Sequence, residues 1–234
     1  MRKLNILYED DVMLACVKPC GVPSQGDKSN DSDMVTLVKE YLFDKSDSND
    51  EPYLAIIHRL DRPVGGVMIF AKTPEVAAKL SDDMQDGNII KYYQAIVTGE
   101  LPDESGELCD YLLKDGKTNT AKVVQKGTKG AKLARLYYEV LDVFETDEGV
   151  LSYILIELET GRHHQIRAQL ASRGCGIWGD TKYNPAFSKT KRKYVEIGLY
   201  SSRIELEHPV TGEHLVFKNE PEGKAFDVIE MEDY

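Results

Sequence analysis

Long apolar runs are missing from this chain of 234 residues. No run approaches the ~20 apolar residues that a helix needs to cross a bilayer, so the sequence excludes a protein built on membrane-spanning helices. The first residues, MRKLNILYEDDVMLACV, contain acidic side chains where a signal peptide has an uninterrupted apolar core. These two absences predict a cytoplasmic protein with no membrane partner.

Cysteine is scarce as well, with four residues at positions 16, 20, 109 and 175. Cys16 and Cys20 have C-x3-C spacing without a second pair of ligands, which favours reduced structural thiols over a zinc site. His163 and His164 are adjacent in sequence but lack a third metal ligand at a useful spacing. The sequence therefore predicts no metal site.

The chain also has fewer positive than negative side chains, with 29 Lys and Arg, 40 Asp and Glu, and a net charge of −11. That total argues weakly against a nucleic-acid partner. The charges are segregated, however, with +6 over residues 114–135, +4 over 179–193, −5 over 27–51 and −7 over 205–234. Local basic segments can bind phosphate even in an acidic protein. Charge alone leaves open whether they do so or are only solvated loops.

The hydrophobic pattern predicts an α+β fold, a single domain over residues 1–234 with a large, mainly antiparallel mixed sheet flanked by helices. The segments that read as strands include NILYE, MLACV, KYYQAIVTG, LSYILIELETG and KLARLYYEVLDVFE, the last as one bent strand or a pair. Helices are expected at MVTLVKEYLF after Asp33, at TPEVAAKLSDDMQDG, and at RHHQIRAQLASRG. Acidic loops at about 27–33 and 44–52 and an acidic tail at about 219–234 complete the organisation.

The most informative stretch is LAIIHRLDRPVGGVMIFAKT, residues 54–73, in which Asp61 stands between Arg59 and Arg62. An isolated Asp in such a segment is most often a turn residue that accepts backbone hydrogen bonds. A carboxylate kept ionised by neighbouring arginines can instead act as a nucleophile or a base. A glycosidase of the usual kind needs two carboxylates, and this stretch offers one among cations. The surroundings therefore favour a phosphate-rich substrate.

Five blocks of this chain resemble the RluA-type RNA pseudouridine synthases. They are NILYEDDVMLACVKPCGVP, IIHRLDRPVGGVMIFAKT, KYYQAIVTG, LETGRHHQIRAQLASRGCGIWGDTKY and HPVTGEHLVF. The blocks occur in the family's order and extend from about Ile6 to Phe217. A single H-R-L-D match would be weak evidence for the family, whereas five blocks in the family's order are specific evidence for it.

The resemblance implies roles for individual residues. Asp61 matches the aspartate that attacks the target uridine, at the sugar C1′ or by a related path that frees the base. Tyr93 matches the tyrosine that stacks on the base and helps to remove the C5 proton. Arg167 matches the basic residue that pairs with the aspartate, and Arg59 matches an arginine that fills the gap left by the flipped nucleotide. A base within a stem must leave the stack to be reached, and aromatic and guanidinium planes suit the extruded base and the gap.

The resemblance also implies a partner, structured rRNA or tRNA, and no metal or redox cofactor. A monomer is the simplest expectation for the oligomeric state. We expect Arg62, His164 and Lys182 to contact RNA or substrate, and the basic segments 114–135 and 182–193 to dock it. An S4-type RNA-binding module, which many relatives carry at the N-terminus, is not seen, so docking would fall to the catalytic domain.

Some positions depart from the family's pattern. Val64 and Gly65 stand where Thr-Ser is common in the family, and His163 replaces a common Thr.

Two alternative functions stay open beside the enzyme. One is a non-catalytic RNA-binding or RNA-chaperone protein of the same fold. The other is a nucleosidase-like hydrolase, which would release free uracil.

Overall fold

The computed structural model describes residues 4–26, 31–47, 50–189 and 196–230. These residues form eleven strands and four α-helices, with a short 3₁₀ turn at Pro185–Phe187. The elements in chain order are β1 (Asn5–Glu9), β2 (Met13–Lys18), α1 (Met34–Lys45), β3 (Ala55–Ile56), β4 (Gly65–Ala71), α2 (Pro74–Asp86), β5 (Ile90–Thr98), β6 (Ser105–Asp115), β7 (Thr120–Val124), β8 (Lys132–Thr146), β9 (Gly149–Leu158), α3 (Gln165–Ser172), β10 (Leu199–Glu207), β11 (His214–Lys218) and α4 (Lys224–Glu230).

Each of the eleven strands of the described residues pairs with at least one other strand. The pairs β1–β2, β2–β4, β3–β4, β5–β9, β6–β7, β6–β8, β8–β9 and β10–β11 are antiparallel. This arrangement confirms the predicted fold class, an α+β protein with a large, mainly antiparallel sheet. The chain packs as two compact units, Met1–Ile90 with Ser201–Glu220, and Lys91–Tyr200 with Pro221–Tyr234.

In the first unit the strand order is β1-β2-β4-β10, with β3 beside β4 and β11 beside β10. Every residue of β2 and β4 is buried, because both faces of these central strands are covered. The core on one side joins the two strands to α2 and to the hairpin of β10 and β11. Its buried members are Met13, Ala15, Val67, Ile69, Ala71, Val76, Leu80, Ile89, Ile204, Leu206 and Phe217.

Both helices of the first unit begin where the sequence predicts, and α2 also ends there, whereas α1 continues two residues beyond the predicted Phe43 to Lys45. The side chain of Asp33 accepts hydrogen bonds from the amides of Val35 and Thr36 and so caps α1. Thr73 caps α2 in the same way, Pro74 occupies its first turn, and Gly87 ends it in the left-handed conformation.

In the second unit the strand order is β5-β9-β8-β6-β7. The strands β6 and β7 form a hairpin, and KLARLYYEVLDVFE is the single strand β8 with an irregularity between Val140 and Asp142. Helix α3 covers one face of the hairpin, where Ala168 packs against Leu112, Ala121 and Ala134. The opposite face of the hairpin remains open to solvent.

Two details differ from the sequence-based expectations. Helix α3 begins at Gln165 and not at Arg162, because His164 has a φ of 51°, outside the right-handed helical region. The expected acidic tail contains α4, whose Phe226 is buried with its ring 6.5 Å from that of Tyr153. Residues 27–30, 48–49, 190–193 and 231–234 of the predicted acidic and basic segments lie outside the described residues.

Candidate active site

Asp61 lies in the short turn that leads into β4, within the first unit. The amide of Val64 donates to the carbonyl of Asp61 at 2.9 Å and closes the turn. Leu60 and Val64 on either side are buried, whereas Asp61 itself is half-buried. Buried apolar neighbours thus anchor the turn, and the carboxylate stays partly accessible to solvent.

A fully buried lysine, Lys18, ends strand β2 in the same unit as Asp61. Its ammonium donates to the carbonyls of Val22 at 2.7 Å, Pro19 at 3.1 Å and Arg62 at 3.2 Å. Burial lowers the pKa of Lys18 to about 7, and the charge of nearby Asp61 opposes that shift. A cation so close to Asp61 favours the ionised form of a carboxylate.

The two arginines that flank Asp61 in sequence have different environments. Arg59 is exposed, as a residue that reaches into RNA must be. The Nε of Arg62 donates to the carbonyl of Gly21 at 2.9 Å, and its guanidinium pairs with Asp31. Arg62 therefore links two loops of the protein, and its role in binding RNA stays a prediction.

Tyr93 lies on β5 in the second unit and is 6% exposed. Its strand neighbour across the ladder is Ile156 on β9. Lys91 occupies the same face of β5, two residues earlier, and its burial lowers the pKa of its ammonium. The stacking role that the resemblance gives Tyr93 stays a prediction.

Arg167, on α3, is buried and forms a two-pronged ion pair with Asp180. Its Nε and Nη2 donate to the two carboxylate oxygens at 2.7 and 2.8 Å. The carboxylate of Asp180 also accepts from the amides of Lys182 and Tyr183, at 2.9 and 3.3 Å. Such bidentate pairs fix the plane of the guanidinium as well as its position.

Tyr183 contacts two of the predicted residues of the second unit, His164 and Arg167. Its hydroxyl lies 2.8 Å from Nδ1 of His164 and accepts from the amide of Ala121 at 2.6 Å. The guanidinium carbon of Arg167 lies 5.0 Å from its ring centre. Lys182 donates to the carbonyl of Asn119 at 3.1 Å, at the tip of the β6–β7 hairpin.

The structure thus groups His164, Arg167 and Lys182 in one unit, and Arg59, Asp61 and Arg62 in the other. Sequence reasoning assigned no role to Lys18, Asp180 or Tyr183. Each of them falls within a quoted block, K-P-C-G for Lys18 and G-D-T-K-Y for the other two. The blocks could have drawn attention to these residues, but their contacts depend on the folded chain.

No three His, Cys, Asp or Glu side chains in the described ranges are arranged to hold a metal ion. Over the same part of the chain, no helix is both long and apolar enough to span a membrane.

Comparisons with known proteins agree with these blocks. The ribosomal large subunit pseudouridine synthase D of Pseudomonas aeruginosa is 30% identical over 223 residues, 90% of this chain. Its namesake from Vibrio cholerae is 30% identical over 227 residues, 92% of this chain. The chain spans 66% of the length of each of these two relatives.

A solved structure, human RNA Pseudouridylate Synthase Domain Containing 4, superposes with a TM-score of 0.79. The match covers 97% of this chain and 92% of that one at 20% identity, which shows a shared fold. The model of the RNA pseudouridylate synthase family matches residues 12–172, a range that contains Asp61, Tyr93 and Arg167. The chain therefore belongs to the RNA pseudouridylate synthase family.

Proposed function

We propose that this protein isomerises specific uridines in structured RNA to pseudouridine, with Asp61 as the nucleophile. The observation that carries the proposal is the setting of Asp61, a half-buried carboxylate in a closed turn beside the buried ammonium of Lys18. That setting lies within the segment that matches the family model. An ionised and oriented carboxylate is what attack on a sugar carbon requires.

The reaction balances without a further reactant. In the simplest path, Asp61 forms a bond to C1′ of the ribose while the N1–C1′ bond breaks and the uracil carries away the electron pair. The uracil turns, C5 bonds to C1′, and the aspartyl bond breaks. The proton lost from C5 is matched by the proton gained at N1, so substrate and product are isomers.

The other roles follow from the resemblance and belong to the same proposal. Tyr93 stacks on the base and assists removal of the C5 proton, and Arg167 pairs with the aspartate. The exposed position of Arg59 suits a side chain that enters the gap left by the flipped nucleotide. The rigid pairing of Arg167 with Asp180 supports a positioning function for this arginine.

The RNA substrate is an rRNA or a tRNA, and we propose that the protein acts as a cytoplasmic monomer. The names of the bacterial relatives point to the large ribosomal subunit as the first RNA to test. We propose that Arg62, His164 and Lys182 contribute to RNA or substrate binding. The second unit offers a set of exposed lysines along the β6–β7 hairpin for docking.

The test is a pseudouridine map of total cellular RNA from four strains of the organism that carries the gene. They are the wild type, a deletion, the deletion rescued with Asp61→Asn, and the deletion rescued with Asp82→Asn. Asp82 is an exposed carboxylate on α2 and serves as the matched control. We expect one or a few sites to vanish in the deletion, to stay absent with Asp61→Asn, and to return with Asp82→Asn.

Three outcomes would contradict the proposal. If no site changes, the non-catalytic RNA-binding or chaperone protein is favoured. If Asp61→Asn restores every site, Asp61 is not the nucleophile. If the purified protein releases free uracil from nucleosides, it is a hydrolase. Chromatography of the base and nucleoside products separates the hydrolase from the isomerase.

A further inference from the structure

The turn that carries Asp61 is held by a segment far away in sequence, residues 18–24, which we call the clamp segment. The two stretches are about forty residues apart and lie in the same unit. Five of the clamp segment's side-chain and backbone groups bond to the backbone of Leu60, Arg62 and Pro63 or to the side chain of Arg62. The clamp segment therefore holds the backbone of the turn on both sides of Asp61.

The innermost contact is made by Ser24, which is 5% exposed. Its hydroxyl donates to the carbonyl of Leu60 at 2.7 Å and accepts from the amide of the same residue at 3.0 Å. The carbonyl of Leu60 belongs to the peptide group that leads into Asp61. One hydroxyl therefore fixes both backbone groups of Leu60 and the orientation of the peptide plane that carries Asp61.

The other contacts secure the far side of the turn. The amide of Gly21 donates to the carbonyl of Arg62 at 2.8 Å, and Lys18 donates to the same carbonyl at 3.2 Å. The thiol of Cys20 donates to the carbonyl of Pro63 at 3.1 Å. Asp61 thus lies between two anchored peptide groups, one held by Ser24 and the other by Gly21 and Lys18.

We propose that Ser24 is a positioning residue for Asp61, the part of the clamp segment that sets the direction of the nucleophile. This inference rests on the proposed function of Asp61. A reacting atom displaced by about 1 Å can lose about two orders of magnitude in rate, so orientation of this peptide group has a direct kinetic consequence. Ser24 has no part in the family roles described above, and its side chain is buried.

The experiment compares Ser24→Ala with Ser152→Ala and Asp61→Asn in the full-length protein. Ser152 is the matched control, a fully buried serine of the second unit whose hydroxyl donates to the carbonyl of Gly99 at 2.8 Å. Both alanine variants lose a buried serine hydroxyl, and only one of them contacts the Asp61 turn. Total RNA from the deletion strain is the substrate, at a temperature well below the melting point of every variant.

We expect Ser24→Ala to lower kcat by about tenfold or more with little change in KM, because the RNA still binds but the nucleophile is misdirected. Ser152→Ala should retain the kcat of the wild type. Hydrogen exchange provides a readout that does not need activity. In Ser24→Ala the amide of Val64, which closes the turn onto Asp61, should exchange about two- to tenfold faster, and in Ser152→Ala it should not.

Two results overturn the inference. One is unchanged exchange at Val64 in Ser24→Ala. The other is a kcat equal to that of Ser152→Ala while Asp61→Asn is inactive. If Asp61→Asn keeps full activity, the nucleophile assignment fails by itself, and the exchange rate at Val64 still decides whether Ser24 holds the turn.

Discussion

Two buried cations, Lys18 in the first unit and Arg167 in the second, are stabilised in different ways. Lys18 places its three N–H donors against three backbone carbonyls, whereas Arg167 meets the carboxylate of Asp180 with two parallel hydrogen bonds. Burial of a charge is costly unless its hydrogen bonds are satisfied. The carbonyls satisfy the donors of the protonated Lys18, and in that form its positive charge acts on Asp61.

The low pKa of Lys18 predicts a pH dependence of stability. Its pKa is about 7 in the folded protein and 10.5 in the unfolded chain. Between these values the unfolded chain binds more protons, so stability rises with pH. We expect the free energy of unfolding of the wild type to rise relative to that of Lys18→Met by up to about 1.4 kcal/mol per pH unit above pH 7.

Urea unfolding of both proteins at pH 7, 8 and 9 measures this difference. A gap between wild type and Lys18→Met that is constant across the three pH values would show that Lys18 keeps its proton when buried. That result would mean that its carbonyl partners and Asp61 outweigh the desolvation of the ammonium.

At the residue scale the sequence pointed to Asp61, Tyr93 and Arg167 through their blocks, and the assigned roles remain predictions. It did not point to the partners of these residues. The hydroxyl of Ser24 is 36 positions from Leu60, and Asp180 is 13 positions from Arg167. No local pattern encodes such pairs, because they form only when separate elements pack.

Among the elements, β4 depends on a glycine at its second residue. Gly66 has a φ of 118°, and a Cβ there would lie 2.3 Å from the carbonyl oxygen of Ser201 on β10. Backbone cannot yield to such an overlap as a flexible side chain can. The turn of Asp61 therefore enters β4 through a position that excludes any side chain.

We expect Gly66→Ala to destabilise the protein by about 2 kcal/mol or more, since strain in the backbone and a clash with β10 add together. Gly87→Ala is the control, because Gly87 has a φ of 82° but no atom within 4 Å of the added Cβ. It should cost only about 1 kcal/mol. If urea unfolding shows the same loss of unfolding free energy for Gly66→Ala and Gly87→Ala, the close approach of Gly66 to Ser201 does not contribute to the cost.

The sequence predicted elements best where local chemistry fixes their ends. Asp33, Thr73 and Gly87 cap helices through contacts within a few residues, and all three were recognised. The start of α3 was placed too early, because the left-handed backbone of His164 has no signature in a non-glycine residue. Helix α4 is not predicted, because its apolar residues stand in an acidic segment and the aromatic partners of Phe226 are distant in sequence.

On the scale of the whole molecule, the net charge of −11 conceals a basic surface. The β6–β7 hairpin and the chain around it present six exposed lysines, at positions 114, 117, 122, 126, 129 and 132. Arg135, the remaining cation of the segment, forms ion pairs with Glu107 and Glu159. Lys122 lies on the face of β7 opposite Ala121 and α3, and Lys117, Lys126 and Lys129 lie in the loops on either side of β7, so these exposed side chains are available to phosphate.

Replacing Lys117, Lys122 and Lys126 by Gln should therefore weaken RNA binding and flatten its dependence on salt. Each lost phosphate contact lowers the slope of log K against log salt by about 0.7 to 0.9. The control replaces three exposed lysines of the first unit, Lys45, Lys79 and Lys218, with the same change of charge. Binding curves with total RNA over a salt series test the prediction, and equal slopes for both triple variants would exclude the hairpin as the docking surface.

The sequence by itself determined the family, the fold class, the capped helices and the candidate nucleophile, because these depend on ordered blocks, residue period and local capping. Tertiary structure alone decided how Asp61 is held, since its clamp consists of hydrogen bonds between stretches about forty residues apart. It also decided that Arg62 pairs with Asp31 and that Asp180 orients Arg167. Hydrogen bonds and burial depend on distances in space, which the order of residues along a chain does not contain.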